Sequence, residues 1–274
     1  MNRQNQTLQV DNARLCYDDA GQGFPIVFLH GWALDRGMWA RQTGHFSAHY
    51  RVICVDRRGF GESTGNPSLV QEVTDLEALF DALELQRVVL VGVSQAARVA
   101  LHAACVELPA RIAALVLEGA PAELVIPVET GEVPISRYRE LMATSGVEAF
   151  RAEWALHPFT RLRSDDAGSL QLVAQMIART PGRDLEMAAA DIARLHTPLE
   201  KVRAASLPVL ILNGEHDSAA RRAAGVALSR EFQQARHTLI SNAGHLPCLD
   251  SPDDYNDALD AFLRSLTLEA RQPA

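Results

Sequence analysis

Apolar runs and amphipathic stretches alternate along most of the chain. PIVFLHG (25–31), RVICVD (51–56), RVVLVGVS (87–94), RIAALVLEG (111–119) and SLPVLILNG (206–214) are nearly continuous apolar segments, the pattern of strands buried on both faces of a sheet. The stretches LVQEVTDLEALFDALEL (69–85), QAARVALHAACVEL (95–108), AARRAAGVALSREF (219–232) and PDDYNDALDAFLRSL (252–266) instead carry helical spacing, and ARHTLIS (235–241) reads as one more strand. At the start, TLQV (7–10) and ARLCYDD (13–19) flank the turn pair Asp11-Asn12, which predicts an antiparallel hairpin. Strand and helix in alternation predict an α/β protein with a mostly parallel central sheet, right-handed crossovers and helices on both faces.

The alternation stops between the strand ending near Gly119 and the one starting near Leu207. Residues from about 121 to 205 carry helix-like patterns broken by Pro127, Pro134, Pro158, Pro181 and Pro198. The expected division is therefore a core of 1–120 and 206–274, with 121–205 as a helical cap inserted after the sixth strand. In an open α/β sheet the ligand crevice lies beyond the carboxyl ends of the strands, so an insertion leaving one such end is placed to roof it. Phe150, Trp154, Leu156 and Phe159 are candidates to line that roof, although packing within the cap accounts for them equally well. The last residues, 269–274, read as a frayed tail.

A chain of 274 residues, 47% hydrophobic, is enough for one sizeable core. A formal net charge of -8 carries no basic footprint, so nucleic acid and anionic membrane surfaces are not expected partners, and a small-molecule substrate is. The first residues lack the apolar core of a signal peptide and no later run approaches a membrane span, so a cytoplasmic location is expected. Cys16, Cys54, Cys105 and Cys248 show no metal-ligand spacing and read as reduced, buried residues; no metal site is expected. Oligomeric state is not legible.

Candidate chemistry gathers at the ends of the predicted strands. Gly92-Val93-Ser94-Gln95-Ala96 follows a buried strand and opens a helix, the context of a nucleophile elbow, where a sharp turn projects the Ser94 hydroxyl above the sheet. Asp217 in NGEHD (213–217) and His245 in NAGH (242–245) end the seventh and eighth strands. That arrangement delivers an acid and a base to the edge of the sheet where Ser94 stands, with His245 to take the Ser94 proton and Asp217 to orient the imidazole. Glu118, at the end of the sixth strand, is a possible substitute acid, and His216 reads as structural. An oxyanion hole would use the backbone N–H of Gln95 and that of Trp32 in His30-Gly31-Trp32; Trp32 could also contribute its ring to the substrate pocket. The glycines of DRRGFGES (56–63) serve a tight turn, and no phosphate-binding loop is present.

The segments HGW (30–32), DRRGFGES (56–63), GVSQA (92–96), NGEHD (213–217) and NAGH (242–245) together resemble the α/β-hydrolase superfamily along nearly the whole chain outside the cap. Pieces of it look like a carboxylesterase acting on pimeloyl groups, a cofactor-free haloperoxidase/esterase group and the enol-lactonases. The resemblance implies the α/β-hydrolase fold, no metal and no organic cofactor, and a serine nucleophile excludes the branches that place Asp there. Three functions follow from it. The first is hydrolysis of a carboxylic ester or lactone through an acyl-enzyme. The second is cleavage of a carbon–carbon bond in a vinylogous diketone by the same triad, favoured if Arg137 or Arg139 faces a substrate carboxylate. The third is a ligand-binding protein that keeps the fold with little turnover.

Overall fold

The computed structural model describes residues 2–121, 123, 132–186 and 194–268. In chain order the elements are β1 Asn2–Val10, β2 Ala13–Gly21, β3 Pro25–Leu29, α1 Ala40–Phe46, β4 Arg51–Val55, α2 Leu69–Ala82, β5 Val88–Val93, α3 Gln95–His102, β6 Ile112–Glu118, α4 Ile135–Trp154, α5 Ala167–Arg179, α6 Leu199–Ala204, β7 Val209–Gly214, α7 Ala219–Glu231, β8 Ala235–Ile240, α8 Pro247–Asp250 and α9 Pro252–Arg264. The strands form one eight-stranded sheet in the order β1-β2-β4-β3-β5-β6-β7-β8. β1–β2 and β2–β4 are antiparallel and the other neighbours parallel. The expected mostly parallel sheet is therefore present, with the hairpin at one edge turning at Asp11-Asn12.

The continuous apolar runs are explained by where alternate side chains go. Ile26, Phe28, Val89, Val91, Ala114, Val116, Leu210 and Leu212 point into one apolar cluster, which α1 and α9 close with Phe46, Leu259 and Phe262. Val27, Leu29, Val88, Leu90, Leu115, Leu117, Val209 and Ile211 point into the other, closed by α2, α3 and α7 through Leu76, Phe80, Val99 and Leu228. Each such aliphatic side chain taken from water contributes about 1.5–3 kcal/mol, and the polar exceptions in β6 and β7, Glu118 and Asn213, stand near the strands' carboxyl ends. The edge strand β8 is only partly covered and mixes Arg236 and His237 into its pattern.

A helical region does follow β6. It includes α4, α5 and α6, while residues 122, 124–131 and 187–193, with Pro127 among them, lie outside the described residues, as does the tail at 269–274. The helical region docks on the core through aromatic rings: Trp32, after β3, meets Trp154 edge-on at 4.5 Å, with Tyr138 and Phe150 beside it. All four cysteines are free and buried. Among the described residues no helix is long and apolar enough to cross a membrane.

Candidate active site

Ser94 stands in the one-residue turn between β5 and α3 with φ 53° and ψ −114°, a conformation an L-residue holds only when its surroundings impose it. They do so by close approach of α3 to β5. A Cβ on Gly92 would lie 2.7 Å from the Ala96 carbonyl oxygen and 2.8 Å from the Ala100 Cβ, so the position two before Ser94 must be glycine. The position two after it is Ala96, fully buried, and a methyl fits there.

Asp217 and His245 arrive on neighbouring loops. The loop after β7 is joined to the loop after β8 by the His216 N–H, which donates to the Ala243 carbonyl at 2.8 Å, while the His216 side chain is exposed. The loop carrying His245 is held by Asp250, which accepts the Gly244 N–H at 2.6 Å and, from the helical region, the Arg163 and Ser164 N–H groups. His245 Nδ1 lies 3.0 Å from Asp217 Oδ1, and its Nε2 lies 3.0 Å from Ser94 Oγ. With Nδ1–H donating to the carboxylate, Nε2 is left to accept from the serine hydroxyl.

Asp217 is itself fixed by the Ser218 N–H at 2.8 Å and Asn213 Nδ2 at 3.2 Å. Burial opposes its ionisation, but His245 and these hydrogen bonds outweigh burial and hold its carboxyl below the usual range. Glu118 has the opposite fate. Fully buried, its carboxyl is pushed up to about 8, with the Cys248 and Tyr255 side chains facing it and only partly offsetting burial. The acid hydrogen-bonded to His245 is thus Asp217. Gly119, at φ 53°, lets the chain turn beneath the imidazole, since a Cβ there would come within 2.8 Å of His245 Cε1.

The loop bearing Trp32 is tied to the turn after β4. The Arg57 N–H donates to His30 Nε2 at 2.9 Å, and His30 Nδ1 lies 2.8 Å from the Gly31 carbonyl. Burial, then the Arg57 charge, holds His30 well below the usual imidazole value, so it is neutral with one nitrogen accepting and the other donating. The Arg57 guanidinium grips Glu72 on α2 with two bonds of 2.7 and 3.0 Å and reaches Gln95 Oε1 at 2.9 Å. The DRRGFGES segment is therefore a turn, as expected, and also the strut between the loops flanking Ser94. Gln95 is the first residue of α3, where a backbone N–H has no intrahelical acceptor.

Ser94 and His245 open into a cavity of about 170 Å³ whose apolar lining includes Trp32, Leu34, Leu69, Trp154, Phe159 and Leu246. Phe159 lies stacked on His245, ring centroids 3.9 Å apart, and the Arg221 guanidinium sits 4.9 Å from the Phe159 centroid. Of the other roof candidates, Phe150 is fully buried in the aromatic cluster and does not line the cavity, and Leu156 is 78% exposed. Arg137 pairs with Glu153, and Arg139 donates to the Leu185 carbonyl; neither lines the cavity.

The sequence profile of the alpha/beta hydrolase family matches residues 26–258. This chain belongs to the alpha/beta hydrolase family. The hydrolase is 30% identical to a non-heme chloroperoxidase of Streptomyces lividans, over 93% of this chain and 98% of the relative. It is 25% identical to 3-oxoadipate enol-lactonase 1 of Acinetobacter baylyi, over 97% of this chain and 96% of the relative. Among solved structures it superposes on a thermophilic esterase from Thermogutta terrifontis with a TM-score of 0.80 and 28% identity, over 96% of this chain and 98% of the esterase.

Sequence reasoning passed over four charged groups of this hydrolase's cavity, Arg98, Glu123, Glu132 and Arg221. Arg98 carried a usable signal, because it falls in the first turn of the helix that the elbow opens. The other three come from distant segments and carried none.

Proposed function

We propose that this hydrolase cleaves a carboxylic ester or lactone of a small molecule through an acyl-enzyme, with Ser94 as nucleophile, His245 as general base and acid, and Asp217 as the group that orients His245. The observation that carries this reading is the unbroken relay from Ser94 Oγ to His245 Nε2 and from His245 Nδ1 to Asp217 Oδ1, each link 3.0 Å, on the floor of an apolar cavity. As Ser94 Oγ bonds to the substrate carbonyl carbon, its proton passes to His245 Nε2; the ionised Asp217 stabilises the imidazolium so formed. Collapse of the tetrahedral intermediate breaks the bond to the leaving oxygen, which takes that proton. Water, deprotonated by His245, then attacks the acyl-enzyme and frees Ser94.

The oxyanion acceptors in this reading are the backbone N–H groups of Gln95 and Trp32, and a missing donor of this kind costs on the order of 10²–10³ in kcat. The Arg57 strut supports it by bracing both segments from one residue, its backbone N–H on His30 and its guanidinium on Gln95. In this reading residues 121–205 act as a cap over the core formed by 1–120 and 206–274, with Trp154 and Phe159 facing the substrate. Ester and lactone chemistry is also what the names of the esterase and enol-lactonase relatives state for those proteins.

The test pairs wild type with Ser94→Ala on 4-nitrophenyl acetate and butyrate, with a fluorophosphonate probe as a covalent label. Turnover and labelling by the wild type, with both reduced at least about 10³-fold in the variant, is the expected result. Hydrolysis that survives the substitution, or a folded wild type giving neither signal, would overturn the reading.

A further inference from the structure

The cavity contains two arginines with different commitments. Arg221 donates to Glu132 at 2.6 Å and to the Gly119 carbonyl at 2.8 Å, and lies over the Phe159 ring. Glu132 is held in turn by the Ser218 hydroxyl. Arg98 is placed otherwise. Its side chain is 14% exposed, and among the described residues its ion-pair partner is Glu123, which is 42% exposed. A cation this deeply placed needs an anionic partner, and here that partner is a carboxylate at the edge of the cavity which recovers its hydration on leaving.

Resting on the ester or lactone reading above, we propose that Arg98 anchors a carboxylate on the substrate, and that Glu123 is the internal carboxylate which the substrate displaces. Arg98 stands in the first turn of α3, four residues after Ser94, and both residues line the same cavity. A molecule whose carbonyl carbon meets Ser94 Oγ can therefore reach Arg98 with a second group a few bonds away. The planar guanidinium fork matches a two-oxygen carboxylate, which is the group it already holds in Glu123. Burial, and then the neighbouring Arg221 charge, pull Arg98 down to about 10; it remains a cation at neutral pH, while Arg221 is held by Glu132. The substrate class is thus an ester or lactone with a free carboxylate near the scissile carbonyl, and a neutral ester of equal length is the weaker substrate.

Mono-4-nitrophenyl adipate and 4-nitrophenyl hexanoate share a leaving group and chain length and differ in the terminal carboxylate. The ratio of their kcat/KM values, compared in wild type, Arg98→Met and Glu123→Gln, tests the inference, and a ratio cancels any loss of folded protein. Wild type should favour the adipate ester by about tenfold or more. Arg98→Met should reduce that ratio at least tenfold, and Glu123→Gln, which removes the competitor, should raise it several-fold, mainly through KM. A wild type without preference for the anionic ester, or ratios equal in all three proteins, would overturn the inference and leave the esterase reading intact. Absence of Ser94-dependent turnover with both esters would overturn the two together.

Discussion

Two buried carboxyls at the ends of adjacent strands titrate in opposite directions, and the difference lies in their immediate partners. Asp217 has His245, a backbone N–H and an amide to stabilise its charge, whereas Glu118 has a thiol and a phenol in a fully buried site. Asp217→Asn retains the shape but leaves His245 without an anion to fix its tautomer. A fall in kcat of about 10⁴, with KM little changed, is the expected outcome in steady-state kinetics. For Glu118 the folded protein keeps the carboxyl protonated up to about pH 8, while the unfolded chain sheds that proton near the ordinary value of 4.5. The group's contribution to stability is therefore full below about 4.5 and is lost as pH rises through this window, by up to about 1.4 kcal/mol per pH unit. Glu118→Gln should remove that slope. Thermal melts are expected to coincide with wild type near pH 4.5 and to lie above it at pH 8, with kcat unchanged within about twofold. A kcat loss like that of Asp217→Asn would make Glu118, not Asp217, the working acid.

At the level of elements, the strands were readable because burial on both faces makes β3 to β7 almost wholly apolar, with Arg51 at the start of β4 and Glu118 and Asn213 near the ends of β6 and β7 as the polar members. Helices α2, α3, α7 and α9 were readable from their apolar stripes, and the elbow from the strand-to-helix switch at Ser94. Helix α1 was not: it has seven residues, of which Gln42 and Phe46 are the buried ones, too few to set a period. The Arg57 strut was hidden for another reason, since its partners Glu72, Gln95 and His30 come from three separate segments and no local rule joins them. The same holds for Arg221 and Glu132 in the cavity, and for the choice of Trp154 and Phe159 over Phe150 as lining. Where β5 meets α3 the packing makes a sharp prediction. Gly92→Ala drives a methyl against the Ala96 carbonyl and Ala100, which should cost about 1–3 kcal/mol in urea-induced unfolding and lower kcat by tilting the turn that holds Ser94.

Across the whole molecule, the sheet separates two apolar clusters, and the helical region rests on one of them through Trp32, Tyr138, Phe150 and Trp154. Phe150 sits inside that contact without touching the cavity. Phe150→Ala should therefore destabilise the protein by about 3–5 kcal/mol, read by chemical denaturation. It should also raise KM more than it lowers kcat, because Trp32 and Tyr138, which flank the cavity residue Trp154, lose the ring that packs against them while the Ser94–His245 contact stays on the core.

Ser94 and His245 stand 151 residues apart, and His245 follows the last strand to join the sheet. A growing chain therefore exposes Ser94, in the turn after β5, long before His245 is made. On the proposed triad, competence requires β8, which pairs with β7 at the sheet edge, and the segment after it, which carries His245. On that reading, a nascent chain halted before β8 carries the nucleophile without its base, and hydrolytic activity during synthesis reports the arrival of the last strand and the loop after it.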